Sequence, residues 1–362
     1  MATPRKKTTA KKKPPRSLVT GACGFIGSHV VEQLRAAGHH VIAADHPSGW
    51  EKDDVVAGRY PTLVRGWADQ QIEFDLTDPR SVDTLPGDLD YVFHLAAIFS
   101  YSATIEALRR VNVEGTRNLV EHVLKTSPKL KRWMQWGAGG VYGATSDRQV
   151  PTFDEDLAPQ PGNNYLRSKW EQEFMIMDYG KQGLLEYTIM RPTTVYGPRG
   201  GYGARQMFMA PIDMPVVAIP SNFSGRIPFI HVEDVAGASI HLADCKAAVN
   251  EVYNLNDDTI MTNVEFMQAL ARILGKPFFK LPPVPYKQLI TAALPVLWGI
   301  FYLTRDVLKV KPPVEPALIA YLKEDWSYAN EKLHKSGYQF KYPDARMAFE
   351  STLRWYQTEG RV

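Results

Sequence analysis

Cysteine is nearly absent: among 362 residues only Cys23 and Cys245 carry a thiol. That excludes a disulfide framework and any cysteine-built zinc or iron–sulfur site, and it implies a reducing setting. Ligand-like histidine spacing is absent too. His39, His40, His94, His231 and His241 fall on expected strands or in structural motifs, so no metal is expected. No internal repeat occurs. No large excess of one charge exists either, because the formal net charge is only +3. The body therefore offers no nucleic-acid surface, and nucleic acid is not an expected partner.

What charge bias exists lies at the front. Arg5, Lys6, Lys7, Lys11, Lys12, Lys13 and Arg16 are unaccompanied by any acid, and they leave 35 basic against 39 acidic residues in the rest of the chain. Residues 1–16, with Pro4, Pro14 and Pro15 and no apolar core, read as a disordered basic tail and not as a secretory signal. Such a tail is a solvated appendage, a clamp on anionic lipid worth about 1 kcal/mol per basic residue, or a contact for nucleic acid. A cytoplasmic location follows, with a peripheral position at the inner face of a membrane as its variant.

Residues 17–192 alternate strand and helix. Ser17–Thr20 is a strand, Gly27–Ala37 an amphipathic helix and His39–Asp45 a second strand, which makes a βαβ unit. Tyr91–Ala97, Trp133–Ala138 and Tyr187–Arg191 read as further strands. Ile105–Leu124 and Tyr165–Tyr179 read as helices. The fold class is α/β: a doubly wound parallel sheet (Rossmann) with a smaller, mostly helical C-terminal substrate lobe. The expected division gives 17–192 to cofactor binding, with a return segment at about 228–258. The substrate lobe takes 193–227 and 259–362. Arg199–Gly203 (RGGYG) reads as a mobile loop. Gln288–Thr304 contains no charge over seventeen residues. It reads as a buried lobe helix, an interfacial apolar surface or a short membrane span interrupted by Pro295 and Gly299.

The chemistry begins at Thr20-Gly21-Ala22-Cys23-Gly24-Phe25-Ile26-Gly27, a glycine-rich turn between strand and helix. Gly21 permits the turn, Gly24 lets the backbone approach a pyrophosphate, and Gly27 allows close helix–strand packing. Asp45 ends the second strand, where a carboxylate accepts from ribose hydroxyls and repels a 2′-phosphate. NAD is thus expected over NADP. Tyr165 and Lys169, four apart on a helix, share a face. A nearby ammonium favours the phenolate, so Tyr165 can take a proton from an alcohol or return one to a ketone.

These residues, in order, resemble the extended short-chain dehydrogenase/reductase family. TGACGFIG, Asp75-Leu76, His94-Leu95-Ala96-Ala97, Asn112-Val113-Glu114-Gly115-Thr116, YLRSK (Tyr165 to Lys169), Arg191-Pro192, Val195-Tyr196-Gly197-Pro198 and FIHVEDVA (Phe229 to Ala236) carry the likeness. The resemblance implies an NAD-dependent dehydrogenase with Tyr165 and Lys169 catalytic. It implies cofactor contacts at Gly21, Gly24, Phe25, Ile26, Gly27, Asp45, Asp75, Leu76, Leu95, Ala96, Ala97, Asn112, Tyr165, Lys169 and Pro192. It also implies a homodimer through a four-helix contact. The family's usual serine or threonine is replaced by Ala138, and Gly137 replaces another common serine. A lost oriented donor typically costs 10²–10³ in rate. Either the substrate brings a polar group, or Ser100, Ser102, Thr193 or Thr194 substitutes, or the protein is a non-catalytic dinucleotide- or lipid-binding sensor. Ala138-Gly139-Gly140 also removes bulk beside Tyr165, which suits a wide substrate.

Ile227 stands where sugar-nucleotide members place a phosphate-gripping arginine. The apolar C-terminal region, with Phe278, Phe279, Trp298, Phe301 and Tyr302 flanked by Pro282-Pro283 and Pro312-Pro313, is similar in layout to the 3β-hydroxysteroid dehydrogenase and sterol-4-carboxylate branch. The expected partner is an apolar, sterol-like alcohol or ketone. A decarboxylating role on a 4-carboxysterol is one version, and a sugar-nucleotide epimerase or dehydratase is the alternative. Peripheral membrane contact would use the tail and residues 288–304.

Overall fold

A computed structural model describes residues 13–143, 151–201, 203–309 and 316–359. Residues 1–12 of the basic tail, Tyr202 of the glycine-rich loop and the Pro312-Pro313 stretch lie outside the described residues.

Eleven strands are assigned among the described residues: β1 (Arg16–Thr20), β2 (His40–Asp45), β3 (Gln70–Glu73), β4 (Tyr91–His94), β5 (Arg132–Trp136), β6 (Tyr187–Pro192), β7 (Thr194–Tyr196), β8 (Val217–Pro220), β9 (Phe229–His231), β10 (Glu251–Leu255) and β11 (Phe278–Leu281). Seven form one sheet in the order β10-β6-β5-β4-β1-β2-β3. Every neighbouring pair in it is parallel. Both faces are covered, so β4 and β5 are buried along their whole length. Leu18 and Val19, adjacent on β1, enter opposite cores because successive strand side chains point to opposite faces. Val19 packs with Val30, Leu34, Val235 and Leu242, from the helices Phe25–Ala36 and Val232–Asp244. Leu18 packs with Leu119, Val123, Ile176 and Ile189, the first two from the helix Thr116–Thr126 and Ile176 from the helix Asn164–Lys181. A third core gathers Tyr196, Phe208, Phe229, Phe266 and Phe349.

Several local expectations need correction. β4 stops at His94, and Leu95–Ala97 leave the sheet, so that segment faces the end of the sheet where a cofactor would lie. The helix expected over Ile105–Leu124 is split. Its middle, Arg109–Gly115, is a π-helical turn, a feature frequent at functional sites. The described part of the loop expected to be mobile is pinned. Arg199 pairs with Glu32 at 2.5 Å, and a Cβ on Gly200 would lie 2.4 Å from the Tyr356 hydroxyl.

The uncharged segment forms a helix, Tyr286–Tyr302, continued by a π turn to Val307. Its buried-helix reading is overturned: Phe301 is the one buried residue in the helix. Tyr286, Ile290, Leu294, Leu297 and Trp298 are half-buried on the stripe facing the protein, while Leu289, Val296 and Ile300 face outward.

Candidate active site

The phosphate loop follows β1 at the switch point between β1 and β4, where open parallel sheets bind ligands. Gly21 has φ +66, and a Cβ there would sit 2.9 Å from the Ala96 nitrogen. A Cβ on Gly27 would meet the Gly21 carbonyl oxygen at 2.1 Å. Only glycine fits either place, and the result is a bare backbone cradle. The helix above it starts at Phe25 and Ile26, and its N-cap, Gly24, offers no side-chain cap. Its free N–H groups and partial positive charge suit a pyrophosphate.

Asp45 Oδ2 accepts from the Cys23 nitrogen at 2.7 Å and Oδ1 from the His46 nitrogen at 2.8 Å, so the carboxylate braces the loop it faces. Burial pushes its pKa up, against those two bonds. Two arginines, Arg59 and Arg65, bond the backbone of the segment that follows Asp45. Arg59 donates to Ser48 O and pairs with Asp54, and Arg65 donates to Trp50 O. Asp75 and Leu76 follow β3. Asp75 is held by Thr77, whose backbone and hydroxyl bonds keep its carboxyl below the usual range. Leu95 and Ala96 are tied to Thr20 by their nitrogens. These groups fit NAD: a side-chain-free cradle for phosphates and a carboxylate at the ribose position.

Tyr165 and Lys169 occupy the helix Asn164–Lys181, which Asn163 caps by accepting from the Leu166 nitrogen at 2.9 Å. Both are buried. The expected lowering of the Tyr165 pKa by Lys169 is not found. Burial raises the phenol well above its ordinary value, with Tyr321 and Glu173 adding to it. Burial likewise lowers Lys169 to about 8, opposed by Glu173. Desolvation is the largest cause of both shifts.

Lys169 Nζ donates to Gln172 Oε1 at 2.5 Å. Gln172 donates to the Thr116 hydroxyl at 2.7 Å, which in turn donates to Asn112 O at 2.7 Å. His94 bridges Thr116 (2.8 Å) and Thr20 (2.7 Å), and burial lowers it to about 3, so it is neutral. Asn112 itself, on the π turn, accepts from the Ile98 nitrogen at 2.8 Å and donates to Ser168 at 3.0 Å. A continuous polar chain thus joins the lysine to the strand end below the phosphate loop. Gln172 was missed in the sequence although it lies three residues from Lys169, and Thr116 was read only as part of the Asn112–Thr116 motif, with no role of its own.

Ala138 packs in one apolar group with Tyr165, Leu166 and Tyr101. The Tyr165 ring is edge-on to Phe99 (4.8 Å) and Tyr101 (5.6 Å). Of the substitute hydroxyls, Ser100 and Ser102 bond each other at 3.1 Å, Thr193 donates to Leu255 O at 3.2 Å, and Thr194 lies in β7. Tyr321, missed in the sequence, reaches the same group. Its ring packs on Tyr101 at 5.5 Å, and its hydroxyl bonds Tyr101 and accepts from Asn163. A Cβ on Gly140 would lie 3.5 Å from that hydroxyl, and one on Gly139 would lie 3.3 Å from Tyr328. The room expected for a wide substrate is therefore partly filled by two C-terminal tyrosines.

Ile227 is buried in the third core. Arg226 is held in two parallel bonds by Asp325, 2.9 and 2.7 Å long. Pro192 ends β6 beside the Ala138 turn. A cavity of about 600 Å³ lined by Asn222, Pro285, Tyr286, Lys287 and Asp325 shares no lining residue with the Tyr165 group. Among the described residues no group of three or more His, Cys, Asp or Glu could hold a metal ion.

Residues 17–256 match the family described as the NAD dependent epimerase/dehydratase family. A UDP-N-acetyl-alpha-D-glucosaminuronate decarboxylase from Bacillus cytotoxicus is 27% identical over 300 residues, covering 76% of this chain and 87% of its own. A ceramide reductase from Caulobacter vibrioides is 27% identical over 349 residues, covering 94% of each chain. The solved UDP-glucose 4-epimerase of Thermus thermophilus, in complex with NAD, shares the fold. Its TM-score is 0.68 at 23% identity, with 95% of this chain and 99% of that one covered.

Proposed function

The chain belongs to the NAD dependent epimerase/dehydratase family and is an NAD-dependent enzyme of the extended short-chain type; from that premise we propose that it interconverts a ketone and a secondary alcohol on an amphiphilic lipid. One observation carries this reading. The loop that carries Phe99 and Tyr101 onto the Tyr165 ring is tied to the π turn that continues the exposed apolar helix, because Arg305 Nη1 donates to Ser102 O at 2.8 Å. A greasy molecule meets aromatic rings at Tyr165 and an apolar face immediately outside.

The residues act as follows. Tyr165, whose phenol burial pushes up, gives its proton to the substrate oxygen during reduction. Tyr321 supplies the second hydroxyl in place of the missing one at Ala138. Lys169 and its polar chain hold the cofactor end of the site. What NAD contributes when bound is a hydride acceptor or donor beside the reacting carbon.

The ceramide reductase supports a lipid ketone as substrate, since it aligns over nearly the whole of both chains. The sterol version rests on the apolar C-terminal layout alone. The sugar-nucleotide reading is favoured by relatives' names, among them the decarboxylase and the epimerase. Against it stand the buried Ile227 and the committed Arg226, since a diphosphate needs charge-assisted contacts.

The test is one panel followed by NADH absorbance. It holds a long-chain ceramide-like ketone, 3β-hydroxysterols with and without a 4-carboxyl group, and UDP- and dTDP-sugars. Sugar products are resolved by chromatography, because epimerases return their hydride. NADH consumption with the lipid ketone is expected. Conversion of a sugar nucleotide with no lipid turnover would replace this reading by the second.

A further inference from the structure

The helix Tyr286–Tyr302 and its extension to Val307 present two apolar stripes. One rests on the protein. The other, Leu289, Val296, Ile300, Leu303 and Val307, recurs at helical spacing and is 56, 63, 42, 50 and 68% exposed. Exposure on this scale along one face marks an interaction surface.

Three observations identify the occupant. First, the helix is fastened to a single body at its beginning, middle and end. Asn222 bonds the Val284 backbone in both directions, at 2.7 and 3.2 Å, and Phe223 is edge-on to Tyr286 at 5.1 Å. Lys323 Nζ donates to the Thr291 hydroxyl at 3.3 Å, and Arg305 holds Ser102. Second, the 22 residues of Tyr286–Val307 extend roughly 33 Å, about the thickness of a bilayer core. Spanning would carry the two fastened ends to opposite sides of the membrane, so a helix held this way lies flat. Third, its flanks carry a net positive charge. Between residues 280 and 309 Lys280, Lys287, Arg305 and Lys309 face a single acid, Asp306, and the sequence of residues 1–16 adds seven positive charges without an acid. A second copy would bring like charges together, whereas an anionic bilayer neutralises them.

We propose that the outward stripe of this helix docks the enzyme side-on to an anionic lipid bilayer, with the basic flanks and tail supplying the attraction and the Ser100–Ser102 loop over Tyr165 held next to the lipid. This docking does not depend on which substrate is turned over.

Flotation with vesicles tests it. The full chain is mixed with phosphatidylcholine vesicles with or without phosphatidylglycerol, at low salt and at high salt. The wild type is expected to float with the anionic vesicles, and more weakly at high salt. The quadruple variant Leu289→Ser, Val296→Ser, Ile300→Ser, Val307→Ser is expected to lose at least tenfold in binding, with unchanged NAD binding and thermal midpoint as folding controls. A second variant lacking residues 1–13 is expected to bind more weakly and with less salt dependence. A wild type that stays at the bottom overturns the proposal, as does a quadruple variant that floats equally well. A variant whose mass by light scattering halves, with vesicle binding unaltered, assigns the face to a second copy and overturns it too. No arm reads turnover, so failure here is distinct from failure of the lipid-ketone reading.

Discussion

Glu173 occupies the space that a side chain on Gly137 would need: a Cβ there would lie 2.0 Å from Glu173 Oε1. The carboxylate cannot step aside, because Arg191 grips its other oxygen through Nε at 3.0 Å and Nη2 at 2.8 Å, with both residues buried. The loss of a serine at Gly137 therefore has a packing cause. Gly137→Ser is expected to destabilise the fold by about 1–3 kcal/mol through overpacking. Glu173→Gln should cost more, since half of a buried pair would be left alone. Thermal unfolding of both variants checks the order.

Tyr165→Phe removes the proton donor and leaves the fold intact. Turnover should fall by about 10²–10⁴, while NAD binding, followed by quenching of protein fluorescence, stays within a factor of about two of the wild type.

Tyr321→Phe is expected to lower kcat by about 10²–10³ if its hydroxyl replaces the missing donor. Adding Ala138→Ser to that variant should restore part of the rate. A double variant no faster than the single one removes Tyr321 from the chemistry.

Asp45→Asn keeps an acceptor for the Cys23 nitrogen and removes the charge that repels a 2′-phosphate. The ratio of NADP to NAD affinity should rise by at least about tenfold, as read by titration calorimetry.

His29, His94 and His231 are each lowered to about 3, in every case first by burial. Their folded-state values lie below the ordinary 6.5. The stability they contribute is therefore complete above pH 6.5 and is lost as pH falls from there towards 3, because the unfolded chain binds the protons first. Three such groups give a slope of up to about 4 kcal/mol per pH unit. Urea midpoints from pH 7 to pH 4 should fall accordingly, and His231→Asn should flatten the slope by about a third.

The cofactor half was legible because local rules suffice there. Glycines three apart between a strand and a helix fix the phosphate cradle, Asp45 sits at a strand end, and Tyr165 and Lys169 need only one helical turn between them. Where tertiary placement decides, the sequence was silent or misleading. The apolar run Tyr91–Ala97 looks uniform, yet pairing ends at His94 and the last three residues turn away. The segment Gln288–Thr304 is apolar all round, so periodicity could not tell a buried helix from one with a second stripe in solvent. Tyr321 comes to the site from 158 residues beyond Asn163, and no spacing announces it. The opposing shifts of Tyr165 and Lys169 depend on burial, which pattern alone does not give.

β10 lays itself beside β6, from Glu251 against Thr188 to Leu255 against Pro192, after the chain has already left to build β7, β8 and β9. Truncation at Pro192 would strip the hydrogen-bonding partner from that edge and bare a row of unpaired backbone groups, the surface on which strands aggregate. The nucleotide-binding half is thus not a detachable module. Its last strand is delivered only after chain that belongs to the other half has been threaded, so the two halves must fold, and be expressed, as one cooperative unit.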